Sequence, residues 1–383
     1  MDRLVRQDPM YRYLLVLTVA SALGLQGWRT LFNNFAVEVA GLNGSQVGII
    51  QSVREIPGFL ALLAVYILLV MREHRLSALS ILCLGVGVGM TGLLPSMGGL
   101  VLTTLIMSFG FHYYETTNQS LTLQYFDQTT APLVFGRQRS FAAATNIAIG
   151  LAIYGVVFFL SYKTIYLMMG VLLGGIGLWG FGQNPIRANL PLQRKRMVFR
   201  RRYGLFYLLT FLAGARRQIF IAFAVFLMVK RFAFTVQEIT LLFVINNAVN
   251  YYLSPMIGKA IVRYGERRVL SLEYASMIVI FLAYALVQVK WMVSVLYILD
   301  HIFFNFAIAI RTYFQKVSDP RDIAPSMAVG FTINHVAAVM LPAIGGMLWM
   351  VDYRIPFLGG ALLAMCSLLA VQFIRLPGRV PKG

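Results

Sequence analysis

The stretch PIRANLPLQRKRMVFRRRY, residues 185–203, is the one long hydrophilic segment of the sequence. Its basic side chains are Arg187, Arg194, Lys195, Arg196, Arg200, Arg201 and Arg202. Long apolar runs stand on both sides of it, and a cluster of like charges with two prolines is typical of an exposed connection between folded units. The segment therefore predicts a linker at 184–203 between an N-terminal unit, 1–183, and a C-terminal unit, 204–383.

The composition is that of a membrane protein. Of the 383 residues, 59% are hydrophobic and only 12% are charged, whereas an average soluble domain is about a quarter charged. The class of soluble globular proteins is excluded, because too little polar material remains to cover such a surface. Hydropathy and breaker residues predict an all-α fold of twelve membrane-spanning helices, six on each side of the linker. The expected bounds are 13–38, 46–70, 77–95, 98–126, 140–161, 164–183, 204–229, 238–262, 269–289, 291–314, 324–350 and 354–376.

The basic residues of alternate loops predict the orientation. One side receives the linker and most other loop cations, among them Arg139, Arg379 and Lys382. The other side has only Lys163, Lys230, Arg231, Lys290 and Arg354. Because positive loops remain in the cytoplasm, we expect both termini and the linker there, in an inner or plasma membrane. The same loops account for the net charge of +19 without nucleic acid, since no groove-reading module is present.

The two units resemble each other weakly when the chain is slid against itself by 188 or 189 residues. Arg29 then meets Arg217, and His112 meets His301. These pairs fall in spans one and four against spans seven and ten, which is the correspondence that duplication of a six-helix unit requires. We therefore expect a pseudo-twofold relation between the units.

Local motifs agree with this architecture. After span eight the sequence reads Gly258-Lys-Ala-Ile-Val-Arg263-Tyr-Gly265-Glu-Arg267-Arg268, and Pro342-x-x-Gly345-Gly346 precedes the last span. Both segments resemble the major facilitator superfamily, although the family's signature loop has an acid where this chain has Val262. The resemblance implies two six-helix bundles around a central cavity. It also implies a gating role for Gly258, Arg263, Gly265, Arg267 and Arg268.

Charged side chains occur inside several predicted spans, at an insertion cost of about 2.5–3.5 kcal/mol each. Such groups normally face a partner or a water-filled cavity, and the resemblance places spans one, four, seven and ten around the cavity. Only one of the neighbours Arg216 and Arg217 can point squarely inward. We expect the substrate to bind among Arg29, Asn33, His112, Glu115, Arg216, Arg217, Asp300, His301 and Asn305.

Three further groups of polar residues carry weaker expectations. Arg54 and Glu55 lie about 100° apart around a regular helix and need not pair. Glu273 falls near the start of span nine, where we expect an interfacial position. A metal site needs three or four converging ligands, and no local ligand pair occurs among the histidines of the spans. We therefore predict no metal site at His112, His301 and His335.

These features favour a secondary transporter that moves a small polar solute by alternating access between the bundles. Arginine exceeds acid in the expected cavity, and a guanidinium binds carboxylate or phosphate through two parallel hydrogen bonds, so the solute is expected to be an anion. One arginine in span one and one in span seven also resemble the organic-phosphate antiporters of the family. We expect Glu115 or Asp300 to carry a coupled proton, in a symporter or an antiporter.

Other functions are less well supported by the sequence. Proton-coupled efflux of drugs or other amphiphilic compounds is the main alternative, because abundant aromatic residues could line a cavity for them. A receptor without transport activity is disfavoured by the charges of the cavity. No nucleotide-binding loop or catalytic constellation occurs. We expect no enzyme activity, no cofactor, and a monomer that contacts its solute, protons and the lipid bilayer.

Overall fold

The computed structural model describes residues 3–187 and 189–376, so Arg379, Lys382 and also the side chain of Pro342 lie outside the described part. Each predicted span coincides with one long helix or a run of consecutive helical segments. We number these runs in chain order: Pro9–Glu38 (α1), Gly44–Ile67 (α2), Glu73–Thr91 (α3), Met97–Tyr125 (α4), Ala131–Val156 (α5), Tyr162–Gly182 (α6), 204–232 (α7), Val236–Tyr264 (α8), Glu266–Leu286 (α9), Lys290–Val317 (α10), Ile323–Val351 (α11) and Arg354–Val371 (α12).

Local capping explains several helix ends. Asp8 precedes α1 and its carboxylate accepts a hydrogen bond from the amide of Met10 at 2.8 Å. Thr235 and Glu238 form a reciprocal capping box at the start of α8. Gly265, with φ of 80°, ends α8 and begins α9 directly, a backbone conformation for which glycine is suited because it has no Cβ.

Helix α5 begins earlier than the sequence predicts, at Ala131 rather than at 140. Asp127 accepts hydrogen bonds from the amides of Thr129 and Thr130, and Pro132 occupies the first turn, where its missing N–H costs nothing. Arg139, expected in a loop, is therefore part of the helix. This correction places a further cation inside a candidate membrane span.

Three of the long helices are interrupted near their middles. Helix α2 is broken after Val53 and continues through short segments that include a 3-10 turn at Leu60–Leu63. Helix α7 contains a π-helical segment, Phe220–Ala224, and α10 contains a 3-10 turn, Asn305–Ala307. Mid-helix irregularities of these kinds often mark hinges or functional sites.

The protein is an integral membrane protein. Eight of the helices in the described part of the chain are long and apolar enough to cross a membrane. The remaining four, α4, α7, α8 and α11, are also long, but their composition or described length does not meet the same criterion. The expectation of twelve membrane crossings therefore stays a prediction.

The helices before and after the linker pack mainly within their own groups. In the first group, α3 lies between α4 and α6, and Gly85 and Gly89 allow close approach to Gly170 of α6. In the second group, α9 packs on α12, and α7 packs on α11 and α12. Small residues permit such close backbone contacts, which replace the hydrophobic effect as the source of helix association in lipid.

The two groups meet at the end of the molecule where the linker lies, which we call the linker end. Helix α5 packs on α8, and α2 packs on α11, where the amide of Leu62 donates to Thr332 at 2.9 Å. The side chain of Gln315 donates to the carbonyls of Leu123 and Phe126, both at 2.7 Å. These contacts close the linker end.

The linker is held against the start of α11. Buried Asp322 pairs with Arg194 at 2.6 Å and with Arg200 at 3.0 Å. Neighbouring Asp319 also pairs with Arg194, and hydrogen bonds from Arg321 hold the pKa of Asp319 down at about 2. Because such a carboxylate stays ionised at any physiological pH, the attachment of the linker persists across that range.

Candidate functional site

A central cavity of about 910 Å³ lies between the two helix groups. That volume is in the range of sites that bind small molecules. Its lining comes from α1, α2, α4 and α5 on one side and from α7, α10 and α11 on the other. The charged side chains of the lining are Arg29, Arg54, Arg139, Arg217, Arg311, Glu55 and Glu115. Arginines thus outnumber carboxylates in the cavity.

Four of these arginines have no carboxylate partner among the described residues. Arg29 and Arg139 come from the first helix group, and Arg217 and Arg311 come from the second. The Nε of Arg217 is buried without a hydrogen-bond partner, and Arg311 lies over the ring of Phe135 at 5.6 Å. Unpaired guanidinium groups at membrane depth are costly unless water or an anion satisfies them. The cavity is therefore electropositive and suited to an anion.

Glu115 lines the same cavity as the unpaired arginines. It makes no ion pair among the described residues, but Arg217 and Arg311 both lie within its electrostatic range. A carboxylate in this position can balance one arginine while the cavity is empty. The expected role of Glu115 as carrier of a coupled proton stays a prediction.

Arg54 and Glu55 do pair, contrary to the expectation from a regular helix. Arg54 donates to Glu55 through Nη2 at 2.9 Å and to Gln51 at 2.7 Å. The angular argument fails because α2 is interrupted between Val53 and Ile56. This pair is the one arginine–carboxylate pair of the cavity lining within the described residues.

A group of two histidines and a glutamate lies where α2, α4 and α11 meet. Nε2 of His335 is 4.0 Å from Glu55, and the rings of His112 and His335 are 4.9 Å apart. Nδ1 of His335 shares a hydrogen bond with the carbonyl of Phe331 at 2.9 Å. Glu55, His112 and His335 each offer one potential metal-ligand atom, and these three atoms lie within 4.8 Å of one another. Sequence reasoning missed the group because its members come from three helices.

The surroundings of this group favour an anion over a cation. Arg54 already donates two hydrogen bonds to the carboxylate of Glu55, and Arg29 and Arg217 line the same cavity. A divalent ion would meet repulsion from all three guanidinium groups. The expectation that the protein has no metal site stays a prediction.

Some of the other expected substrate residues line the cavity, and the rest lie away from it. His112, Glu115, Arg217, His301 and Asn305 line the cavity with Arg29. Asn33 is exposed on α1 and does not line it. Arg216 and Asp300 are buried inside the second helix group, away from the cavity lining. Of the two neighbouring arginines, Arg217 therefore points inward.

Sequence reasoning also missed Arg139 and misplaced Glu273. Arg139, Ala142 and Asn146 follow the i, i+3, i+7 spacing of one helix face, and all three line the cavity. That spacing was a usable signal once the helix began at Ala131. The interfacial position expected for Glu273 is wrong, because the residue is 3% exposed and its carboxylate pairs with Arg216 at 3.3 Å.

Comparisons with known proteins bear on this architecture. No protein-family model and no curated protein matches the chain. Solved structures do match. The human organic anion transporter MFSD10 has a TM-score of 0.78 at 9% identity, with 95% of this chain and 99% of that chain covered. The chain has the major facilitator fold.

Two further structures support the same fold. A bacterial homologue of the iron transporter ferroportin, in an outward-facing state, has a TM-score of 0.76 at 12% identity and covers 95% of this chain and 98% of its own. The E. coli fucose:proton symporter FucP has a TM-score of 0.76 at 12% identity and covers 96% and 98%. The expected likeness to major facilitator transporters is thus confirmed for the fold.

Within the major facilitator fold, one residue of the expected gating loop contacts the opposite helix group. A Cβ placed on Gly258 would overlap the carbonyl oxygen of Pro132 of α5. Arg263 lies over the ring of Tyr264, and Arg267 donates to Gln372 at 3.0 Å, so both contacts stay within the second group. Gly265 and Arg268 have no described contact across the interface, and gating by this loop stays a prediction.

Proposed function

We propose that the protein is a secondary transporter of small organic anions. The observation that carries this proposal is the set of unpaired arginines, Arg29 and Arg139 against Arg217 and Arg311, which face one cavity from both helix groups. An anion bound between them would satisfy guanidinium groups contributed by each half. Those halves must move relative to each other in alternating access. The contacts between the arginines and the bound anion would therefore change with that movement.

The size and apolar lining of the cavity favour an organic anion over a bare phosphate. Five phenylalanine rings share the lining with the arginines: Phe111, Phe206, Phe220, Phe304 and Phe331. A site of about 910 Å³ has room for a carboxylate or phosphate ester with an attached ring or chain. MFSD10, which shares the fold, is described as an organic anion transporter, and this supports the same substrate class here.

The closed linker end supports alternating access. Contacts of α5 with α8 and of α2 with α11 seal that end. In contrast, Arg29 and Gln51, which line the cavity, lie in the halves of α1 and α2 that are farther from the linker. A cavity closed at one end can exchange solute only through the other. If the linker is cytoplasmic, as the loop charges predict, this conformation faces outward, like that of the ferroportin homologue.

The test is a binding and transport panel on the purified protein. Thermal unfolding is followed with hippurate, citrate, inorganic phosphate and tetraphenylphosphonium, because a ligand of the native state raises its melting temperature. We expect stabilisation by hippurate and none by the lipophilic cation. Uptake of hippurate into proteoliposomes then separates a transporter from a receptor.

A substitution at Arg217 sharpens this test. Arg217→Lys keeps the charge but loses the planar fork, and loss of a charge-assisted hydrogen bond of about 1.5–3 kcal/mol corresponds to about 10–100-fold weaker binding. Arg75→Lys, at an exposed arginine outside the cavity, is the matched control. Binding of tetraphenylphosphonium without binding of any anion would replace the proposal with the efflux of amphiphilic cations.

A further inference from the structure

Three ionisable side chains are buried inside the second helix group, behind the cavity wall. Arg216 of α7 is 3% exposed, Glu273 of α9 is 3% exposed and Asp300 of α10 is 1% exposed. Arg216 pairs with Glu273 at 3.3 Å and lies 4.3 Å from the ring of Tyr274. Asp300 lies within electrostatic range of both Arg216 and Glu273. We call Arg216, Glu273 and Asp300 the buried triad.

Every member of the buried triad has an unsatisfied polar atom. Nη1 of Arg216, Oε2 of Glu273 and Oδ2 of Asp300 are all buried without a hydrogen-bond partner. A buried group left in this state loses its hydration without compensation. The other titratable groups near the carboxyls are the phenols of Tyr274, Tyr284 and Tyr297. Those phenols carry no charge near neutral pH.

Charge balance then requires a proton. One guanidinium neutralises one carboxylate, and a second carboxylate would leave an uncompensated negative charge away from water. We propose that Glu273 and Asp300 share one exchangeable proton beside Arg216, and that the buried triad is the site at which transport is coupled to protons. The proposal rests on the proposed transport function and places the coupling outside the substrate cavity.

The chain connects the buried triad to the cavity through two pairs of sequence neighbours. Arg216 points into the triad while Arg217 lines the cavity, and Asp300 points into the triad while His301 lines the cavity. Each pair is followed closely by an irregular segment, Phe220–Ala224 in α7 and Asn305–Ala307 in α10. A bend at these segments would move both members of a pair together.

This connection gives the coupling a physical basis. With its proton the triad is neutral and can stay buried. Without the proton it carries one negative charge, which favours a conformation in which water reaches the carboxyls. A change of α7 and α10 that admits water would thus release the proton, and an anion held by Arg217 would travel in the same conformational change.

Infrared spectroscopy tests the shared proton independently of any substrate. We expect the purified protein at neutral pH to show the C=O stretch of a protonated buried carboxyl, measured in a Glu73→Gln background because Glu73 is another enclosed carboxyl without a cation partner among the described residues. Glu273→Gln and Asp300→Asn should each remove that band, because the remaining carboxylate pairs with Arg216 and needs no proton. Glu238→Gln, at the partly exposed pair with Lys290, should leave the band unchanged. Absence of the band in the native protein, or its persistence in both variants, would overturn the proposal.

Transport in proteoliposomes tests the coupling. Both variants should retain hippurate counterflow at equal pH on the two sides and should lose accumulation driven by a pH gradient. Accumulation equal to that of the native protein in both variants contradicts the coupling role. If the native protein neither binds nor moves any anion of the panel, the proposed function fails. The infrared measurement still tests, independently of any substrate, whether Glu273 and Asp300 share a proton.

Discussion

Neighbouring residues on one helix can have opposite surroundings, and Arg216 and Arg217 illustrate this. A step of about 100° along α7 takes the first into a buried ion pair with Glu273 and the second into the cavity. The change in the free energy of unfolding when a charged side chain is removed depends on whether a buried group loses its partner. Loss of Arg216 leaves buried carboxyls uncompensated, whereas loss of Arg217 relieves an unpaired charge.

We therefore expect the same substitution to affect stability at Arg216 and anion binding at Arg217. Arg216→Met should lower the free energy of unfolding by about 3–5 kcal/mol, as removal of one partner from a buried pair does. Arg217→Met should leave stability within about 1 kcal/mol and abolish anion binding. Denaturant unfolding in detergent measures the first effect and thermal shift with hippurate the second. Equal destabilisation by the two changes would show that Arg217 is also structurally paired.

At the scale of the helix, glycines decide how closely α5 and α8 approach. A Cβ on Gly258 would overlap Pro132 of α5, and a Cβ on Gly136 would overlap the carbonyl of Ser254 of α8. The two glycines thus lie on opposite sides of the same interface at the linker end. A side chain at either position must push the helices apart.

Gly258→Leu should open the linker end. Overpacking costs about 1–3 kcal/mol, so the closed conformation should lose at least about fivefold in population relative to the open one. The readout is alkylation of Ala142→Cys, in the cavity, by an impermeant maleimide added from the linker side, with native Cys83 and Cys366 replaced. Gly150→Leu is the control, because open space surrounds Gly150 of α5. An unchanged alkylation rate would mean that this interface does not control access.

At the scale of the whole molecule, hydropathy predicted the helices well because membrane insertion is decided locally along the chain. The cavity was harder to predict. The expected lining at Arg29, Glu115 and His301 follows from the cost of charge in lipid, but Arg139 required the correct start of α5. The buried position of Glu273 required its partner on another helix. Such tertiary pairings have no signal in local composition.

The orientation in the membrane is the property of the whole molecule that most needs a direct test. The linker and the contacts that close it lie at one end, and the loop after α1 lies at the other. Cations retained on the cytoplasmic side during insertion are concentrated at the linker end. We therefore expect the linker end to be cytoplasmic and the cavity to open to the outside.

Cysteines at the two ends distinguish the orientations. Gly44 is exposed in open space beside Asn43, and Arg196 is exposed in the linker without a described contact. In a background without Cys83 and Cys366, we expect Gly44→Cys to react with an impermeant maleimide in intact cells and Arg196→Cys to react only after permeabilisation. The reverse pattern would place the linker outside. The closed linker end would then make this conformation inward-facing, and the anion would enter the observed cavity from the cytoplasm.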